Sequence, residues 1–174
     1  MVVIGGDREE TTNELAKTPA TAIENNNWQR GIGTSIRIGV QSAIDKIGTV
    51  DKEGRFPKRP TAVGKPPLLG AIVLLTCDQP FVDGKVIKQL ITLREKTKNT
   101  IVASSYSSTL GVPALFDHSC FPELLALDDK SGAKAIILSN PERVAEFAFP
   151  EGRIDIDTTE DLERLKETGS SRME

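Results

Sequence analysis

Two acidic stretches hold the residues best suited to chemistry in this sequence. In LLTCDQPFVD, residues 74–83, Asp78 follows an apolar run directly, at the point where a buried strand would surface. In RIDIDTTEDLERL, residues 153–165, Ile154 and Ile156 alternate with Asp155 and Asp157, so a strand there would present both carboxylates on one face. Hard oxygen donors from two strand ends would suit Mg²⁺, which takes one or two carboxylates and fills its other positions with water and substrate phosphate oxygens. An aspartate after a strand is equally the residue that opens a turn or caps a helix, and spacing alone does not decide between the two. Thr158 and Asp161 fit a capping box, which explains that pair structurally and leaves Asp155 and Asp157 unexplained.

A third candidate is WQRGIGTSI, residues 28–36, a glycine-spaced turn that feeds a helix. Glycines let a ligand approach the backbone and a helix start favours anions, but Gly31, Gly33, Thr34 and Ser35 would also serve as a plain flexible cap. His118, the single histidine, sits in FDHSCF at an expected helix start without an evident nucleophile, and it reads as a surface or capping residue. Trp28 reads as a packing anchor. Lys52, Arg55, Lys58, Arg59 and Lys65 read as a solvated basic coat, with contact to substrate phosphates as the alternative. No Ser, His and Asp combination forms a triad.

The elements that must position these residues follow from periodicity. Val2 to Ile4 reads as a strand closed by Gly5-Gly6, residues 7–17 as a helix, and ATAIENNN as a second strand. Ile32, Ile36, Val40, Ala43 and Ile47 recur at helical spacing. Residues 49–67, rich in proline, glycine and basic side chains, read as a long flexible loop. LLGAIVLLT is the strongest strand, apolar on successive residues as expected where helices cover both faces of a parallel sheet. Further helices are expected from Asp83, through Cys120, through Ser131 and from Thr158, with strands at NTIVASS and near Val144. This alternation favours one three-layer α/β/α domain over residues 1–174 with a mostly parallel sheet, whose ligands would bind beyond the carboxyl ends of the strands.

Composition narrows the function classes. A length of 174 residues, 38% hydrophobic and 27% charged, fits one soluble globular domain, and a net charge of -3 offers no general attraction to nucleic acid. Cys77 and Cys120 match neither a zinc site nor a disulfide framework, and no apolar run approaches the roughly 20 residues that span a bilayer. A cytoplasmic protein without a membrane or nucleic-acid partner is expected.

Taken in order, NNNWQRGIGTSIRIGV, LLTCDQPFVD, YSSTLGVPALF, LLALDDKSGAKAI and DIDTTEDLERL resemble the molybdenum cofactor nucleotidyltransferase family, closest to its CTP:molybdopterin cytidylyltransferase branch. The resemblance implies a Rossmann-like nucleotidyltransferase fold. It also implies transfer of a nucleoside monophosphate from CTP or GTP to the phosphate of a molybdopterin-like acceptor, with release of pyrophosphate. It makes Asp78 the principal Mg²⁺ ligand and catalytic residue and Asp157 its companion. It sets Gly33, Thr34 and Ser35 along the base and ribose, and Gly111, Pro113, Gly132 and Ala133 around the second substrate. Two other readings are a guanylyl- or cytidylyltransferase for a different phosphorylated small molecule and a noncatalytic nucleotide- or pterin-binding protein.

Family members open with a first strand and a loop of the type LAAGxSxRMGxxK, which has no match here; Met1 falls where their second strand begins. That strand is central in the family, so its loss is expected to leave two open sheet edges, to weaken or abolish activity, and to favour association, for example as a homo-dimer.

Overall fold

The computed structural model describes residues 1–6, 8–47 and 70–170. The expected loop at 49–67, with its five basic residues, lies outside the described residues. The chain divides into two compact units, Met1–Ile72 with Phe116–Glu142 and Val73–Leu115 with Arg143–Glu174. Strands and helices alternate through both, giving a mixed α/β fold.

In the first unit, β1 (Val2–Ile4) and β2 (Ala22–Glu24) pair in parallel, Val2 opposite Ala22 and Ile4 opposite Glu24. Parallel neighbours need a crossover, and the polar helix α1 (Arg8–Leu15) supplies it without burying a side chain. Gly5 and Gly6 follow β1 because Trp28 lies over them: a Cβ on Gly5 would stand 2.7 Å from the Trp28 side chain. Trp28 is thus an anchor that stays 44% exposed. A short 3-10 turn, Trp28–Arg30, ends at Gly31, whose φ of 134° is open to glycine alone at low cost.

Helix α2 (Ile32–Ile47) follows and packs on β1 and on α4 (Phe121–Leu125). Its apolar face differs from the one the sequence periodicity predicts. Val40, Ala43 and Ile44 are buried, whereas Ile32 is 53% exposed and the first turn is buried at Gly33 and Thr34 instead. Phe121, Leu124, Leu127 and the face of α5 (Ala133–Ser139) that carries Ile136 and Ile137 complete this core.

In the second unit, β4 (Ile101–Tyr106) and β6 (Val144–Ala148) pair in parallel, from Ile101 opposite Val144 to Ser105 opposite Ala148. Helix α3 (Gly84–Thr97) packs on both strands through the buried Val86 and Leu90. Asp83 caps this helix, its carboxylate accepting from the N–H groups of Lys85 and Val86 at 2.8 and 3.0 Å. The larger sheet runs in the order β3-β5-β4-β6, with β3 spanning Ala71–Leu74 and β5 spanning Thr109–Asp117.

Three expectations are corrected. The longest strand, β5, was not legible as a strand, because Gly111 and Pro113 interrupt its pattern. The Ser107–Ser108 turn that joins it to β4, with φ of 49° and 59°, has type I′ hairpin geometry, which sets β5 antiparallel to β4 in a sheet expected to be mostly parallel. β3 is half-buried along its length rather than enclosed on both faces. Residues 154–157 form no strand; they run from the 3-10 turn Pro150–Arg153 to the last helix, α6 (Thr159–Ser170). Isoleucines and aspartates still alternate there between half-buried and exposed positions.

Candidate functional site

Asp78 lies just past β3, and its carbonyl accepts the Ile156 N–H at 2.8 Å. This one backbone bond brings the 155–157 segment alongside the end of the strand. The Oδ1 atom of Asp78 is buried and has no hydrogen-bond partner among the described residues. A buried carboxylate oxygen without a donor or cation beside it costs free energy, so the place is poised for one.

The neighbouring carboxyls act on one another. Asp155 is held above the ordinary carboxylate range, first by desolvation of its carboxyl although the residue as a whole is exposed, then by the charges of Asp78 and Asp157. The phenol of Tyr106 is pushed up mainly by burial, and further by Asp155 and Asp78, while the adjoining Gln79 amide works in the opposite direction. Tyr106 therefore stays protonated and donates to the Val112 carbonyl at 3.0 Å. Gln79, 6% exposed, donates to the carbonyls of Val112 and Gly152 at 3.3 and 2.8 Å. Among the described residues no three His, Cys, Asp or Glu side chains converge into a metal-ligand group. One or two carboxylates completed by water and phosphate remain sufficient for Mg²⁺ or Mn²⁺, and the orphaned Asp78 oxygen fits such a cation.

The residues expected around the second substrate are structural to different degrees. A Cβ on Gly111 would stand 2.5 Å from the Tyr106 hydroxyl, and Pro113 is fully buried, its carbonyl accepting from Ser104 Oγ at 2.6 Å. Gly132 caps α5 and Ala133 is buried at its first position; both belong to the first unit. Beside the acidic cluster, Phe81, Ile154 and Leu165, with Glu151, Arg153 and Arg164, line a cleft of about 300 Å³ that combines apolar walls with charged groups of both signs.

The glycine turn of the first unit is packed by its own chain. Gly33 N–H donates to the Asp129 carbonyl at 2.8 Å, and a Cβ on Gly33 would stand 2.0 Å from the Asp128 carbonyl oxygen. Asp129 holds this loop in place. Its carboxylate accepts from Arg37 at 2.5 Å and pairs with Arg30 at 2.7 Å, and Arg37 also donates to the Leu127 carbonyl. The Arg37 hydrogen bond, opposed by desolvation and assisted by Arg30, keeps Asp129 below the usual carboxylate range. Thr34 is buried, and Ser35 is half-buried.

Sequence reasoning thus paired Asp78 with the acidic segment but missed Gln79, Tyr106 and the Arg37–Asp129 brace. The signals were slight: Gln79 adjoins Asp78, Tyr106 is the single tyrosine, and Asp128-Asp129 form an acidic pair in an expected loop. The predicted capping box is present, with Asp161 N–H donating to Thr158 Oγ1 at 3.2 Å and Thr158 N–H to Asp161 Oδ2 at 3.1 Å.

Residues 1–144 match the MobA-like NTP transferase domain family. The chain belongs to that family. Its fold is also that of several solved structures. Rv0371c from Mycobacterium tuberculosis H37Rv is 23% identical with a TM-score of 0.62, covering 95% of this chain and 74% of that one. Its manganese complex is 24% identical with a TM-score of 0.59, covering 95% and 76%. Molybdopterin-guanine dinucleotide biosynthesis protein A from Archaeoglobus fulgidus is 18% identical with a TM-score of 0.56, covering 97% and 78%. Among curated proteins, none matches this chain. Both the DQP stretch around Asp78 and the glycine turn fall inside the span matched by the NTP transferase family, and Asp157 follows it.

Proposed function

We propose that this chain transfers a nucleoside monophosphate, CMP in the first instance, from a nucleoside triphosphate to the terminal phosphate of a molybdopterin-like acceptor. An acceptor phosphate oxygen attacks the α-phosphorus in line, a new phosphorus–oxygen bond forms, and the bond to the β-phosphate oxygen breaks to release pyrophosphate. No side chain need become covalently attached, so the protein's contribution is positioning and charge neutralisation.

The observation that carries this reading is the buried Asp78 Oδ1, unpartnered among the described residues, at the end of a strand in a chain of the NTP transferase family. Asp78, with Asp157 as companion, would hold Mg²⁺ or Mn²⁺. Bound there, the ion supplies neutralisation of the triphosphate's developing charge. Gly33, Thr34 and Ser35 would serve the base and ribose, the first two through the shape they maintain. Gly111, Pro113, Gly132 and Ala133 would shape the acceptor's surroundings through backbone rather than side chains. That the fold neighbour Rv0371c is known as a manganese complex supports a divalent ion as a partner of this chain.

Pyrophosphate release from CTP and GTP, measured with molybdopterin and Mg²⁺, tests the proposal. Acceptor-dependent release that is faster with CTP is expected. Triphosphate binding without any release would leave a nucleotide-binding protein, and release with GTP alone would reassign the base.

A further inference from the structure

We infer that Gln79 is a positioning residue of the cation site: its carboxamide clamps the turn that feeds Asp155 and Asp157 against the end of β3, where Asp78 lies, and it acts on the site through that turn. The inference rests on the nucleotidyl-transfer reading above and extends it to a residue which that reading does not use.

Gln79 directly follows Asp78 and is 6% exposed. One end of its side chain faces two carbonyls, that of Gly152 at 2.8 Å and that of Val112 at 3.3 Å, and only the Nε2 end can donate to both. This fixes the orientation of the amide and leaves Oε1 buried, with no hydrogen-bond partner among the described residues. A buried side chain that satisfies one end and orphans the other is more costly than an apolar one of the same size. Packing alone therefore gives no reason for a glutamine here, whereas the contacts of its donor end do.

Val112 belongs to β5 and Gly152 to the 3-10 turn Pro150–Arg153, so one carboxamide joins the end of β3 to both. The turn is held from a second side by aromatic rings, since a Cβ on Gly152 would stand 2.7 Å from Phe149 and 2.7 Å from Tyr106. Beyond Gly152 the chain is tied again where the Ile156 N–H donates to the Asp78 carbonyl at 2.8 Å. Asp155 lies between these two ties and Asp157 directly after the second, so the clamp limits where both carboxylates can go. The charges of Asp78 and Asp157 act against an ionised Asp155 and work to open the segment. The Gln79 hydrogen bonds oppose that opening and keep the acidic groups assembled before a cation arrives, which spares the cation the cost of gathering them.

Two measurements on the full chain test this. Amide hydrogen exchange reads the segment directly: Gln79→Met, which keeps the bulk and removes the donor, is expected to make the Ile156 N–H exchange about tenfold faster, the worth of one ordinary hydrogen bond. Calorimetric titration with CTP and with GTP in saturating Mn²⁺ reads the site, and the same variant is expected to bind them about five- to tenfold more weakly. Val86→Ala removes buried methyl groups from α3, lowering stability in the same unit without touching the clamp, and is expected to leave both readouts unchanged. Should Gln79→Met not fold, Gln79→Asn, which keeps the amide but is one methylene short of the Gly152 carbonyl, carries the same expectations. Unchanged exchange at Ile156 or unchanged nucleotide affinity in the Gln79 variant overturns the proposal, as does an equal change in Val86→Ala. If the unaltered chain binds neither CTP nor GTP with Mn²⁺, the transfer reading itself fails and this proposal falls with it, whereas equal binding by the unaltered chain and Gln79→Met sinks this proposal alone.

Discussion

Desolvation, and after it the charges of Asp78 and Asp157, hold the Asp155 carboxyl above the ordinary carboxylate range. The sign of the linkage follows directly. A carboxyl that titrates higher in the fold than in the unfolded chain contributes stability below the ordinary carboxylate range and loses it as pH rises through the raised value. Asp155→Asn is therefore expected to melt at a higher temperature than the unaltered chain at pH 7, the two curves converging as pH falls toward about 3, where the aspartate is protonated. Thermal melts across that range check this, and added Mg²⁺ should narrow the gap at pH 7 by neutralising the cluster. A lower melting temperature for the Asn variant at pH 7 would mean that the carboxylate makes a favourable contact the geometry does not show. At this scale the sequence was informative about residue type and weak about partners. Asp78 stood out because an acid followed an apolar run, whereas Gln79 and Tyr106 gained their meaning only when β5 and the Pro150–Arg153 turn brought the carbonyls of Val112 and Gly152 to them.

At the scale of elements, the glycines separate into those that a neighbour requires and those that nothing requires. Gly33→Ala would drive a methyl group into the Asp128 carbonyl, a backbone atom that cannot rotate away, and is expected to cost about 1–3 kcal/mol. Gly84, at the start of α3, has no atom within 4 Å of an added Cβ, so Gly84→Ala is expected to be neutral or stabilising by up to about 1 kcal/mol. Chemical denaturation of the two variants side by side checks the contrast. A similar result for both would show that the 128–131 loop yields to the added methyl. Helix α3 was readable because its start, Asp83, and its buried residues, Val86 and Leu90, follow local rules. β5 was not, since a glycine and a proline inside a strand are tolerated only through tertiary packing: the Tyr106 hydroxyl over Gly111, and the Ser104 hydrogen bond to the Pro113 carbonyl. The 154–157 segment failed as a strand for the converse reason. Its alternation was real, but among the described residues a single backbone bond, from Ile156 to Asp78, is all that pairs it there.

For the whole molecule, strand and helix alternation indicated the α/β class, and five ordered stretches indicated the nucleotidyltransferase family before any coordinates did. The two-residue Ser107–Ser108 turn that makes the larger sheet mixed carries no glycine or asparagine to announce it. The central claim is that Asp78 supplies the anchoring oxygen for a divalent ion and, through it, for a nucleotide's phosphates. The most direct measurement is the melting temperature of the chain and of Asp78→Asn with CTP or GTP, each with and without Mg²⁺ or Mn²⁺. A ligand at 100 times its dissociation constant stabilises by about 2.7 kcal/mol. The account predicts a rise of that order for the unaltered chain only when nucleotide and cation are both present, and its loss in Asp78→Asn, whose melting temperature without ligands is not lowered. An equal cation-dependent rise in Asp78→Asn, or a rise in the unaltered chain that ignores the cation, would contradict it.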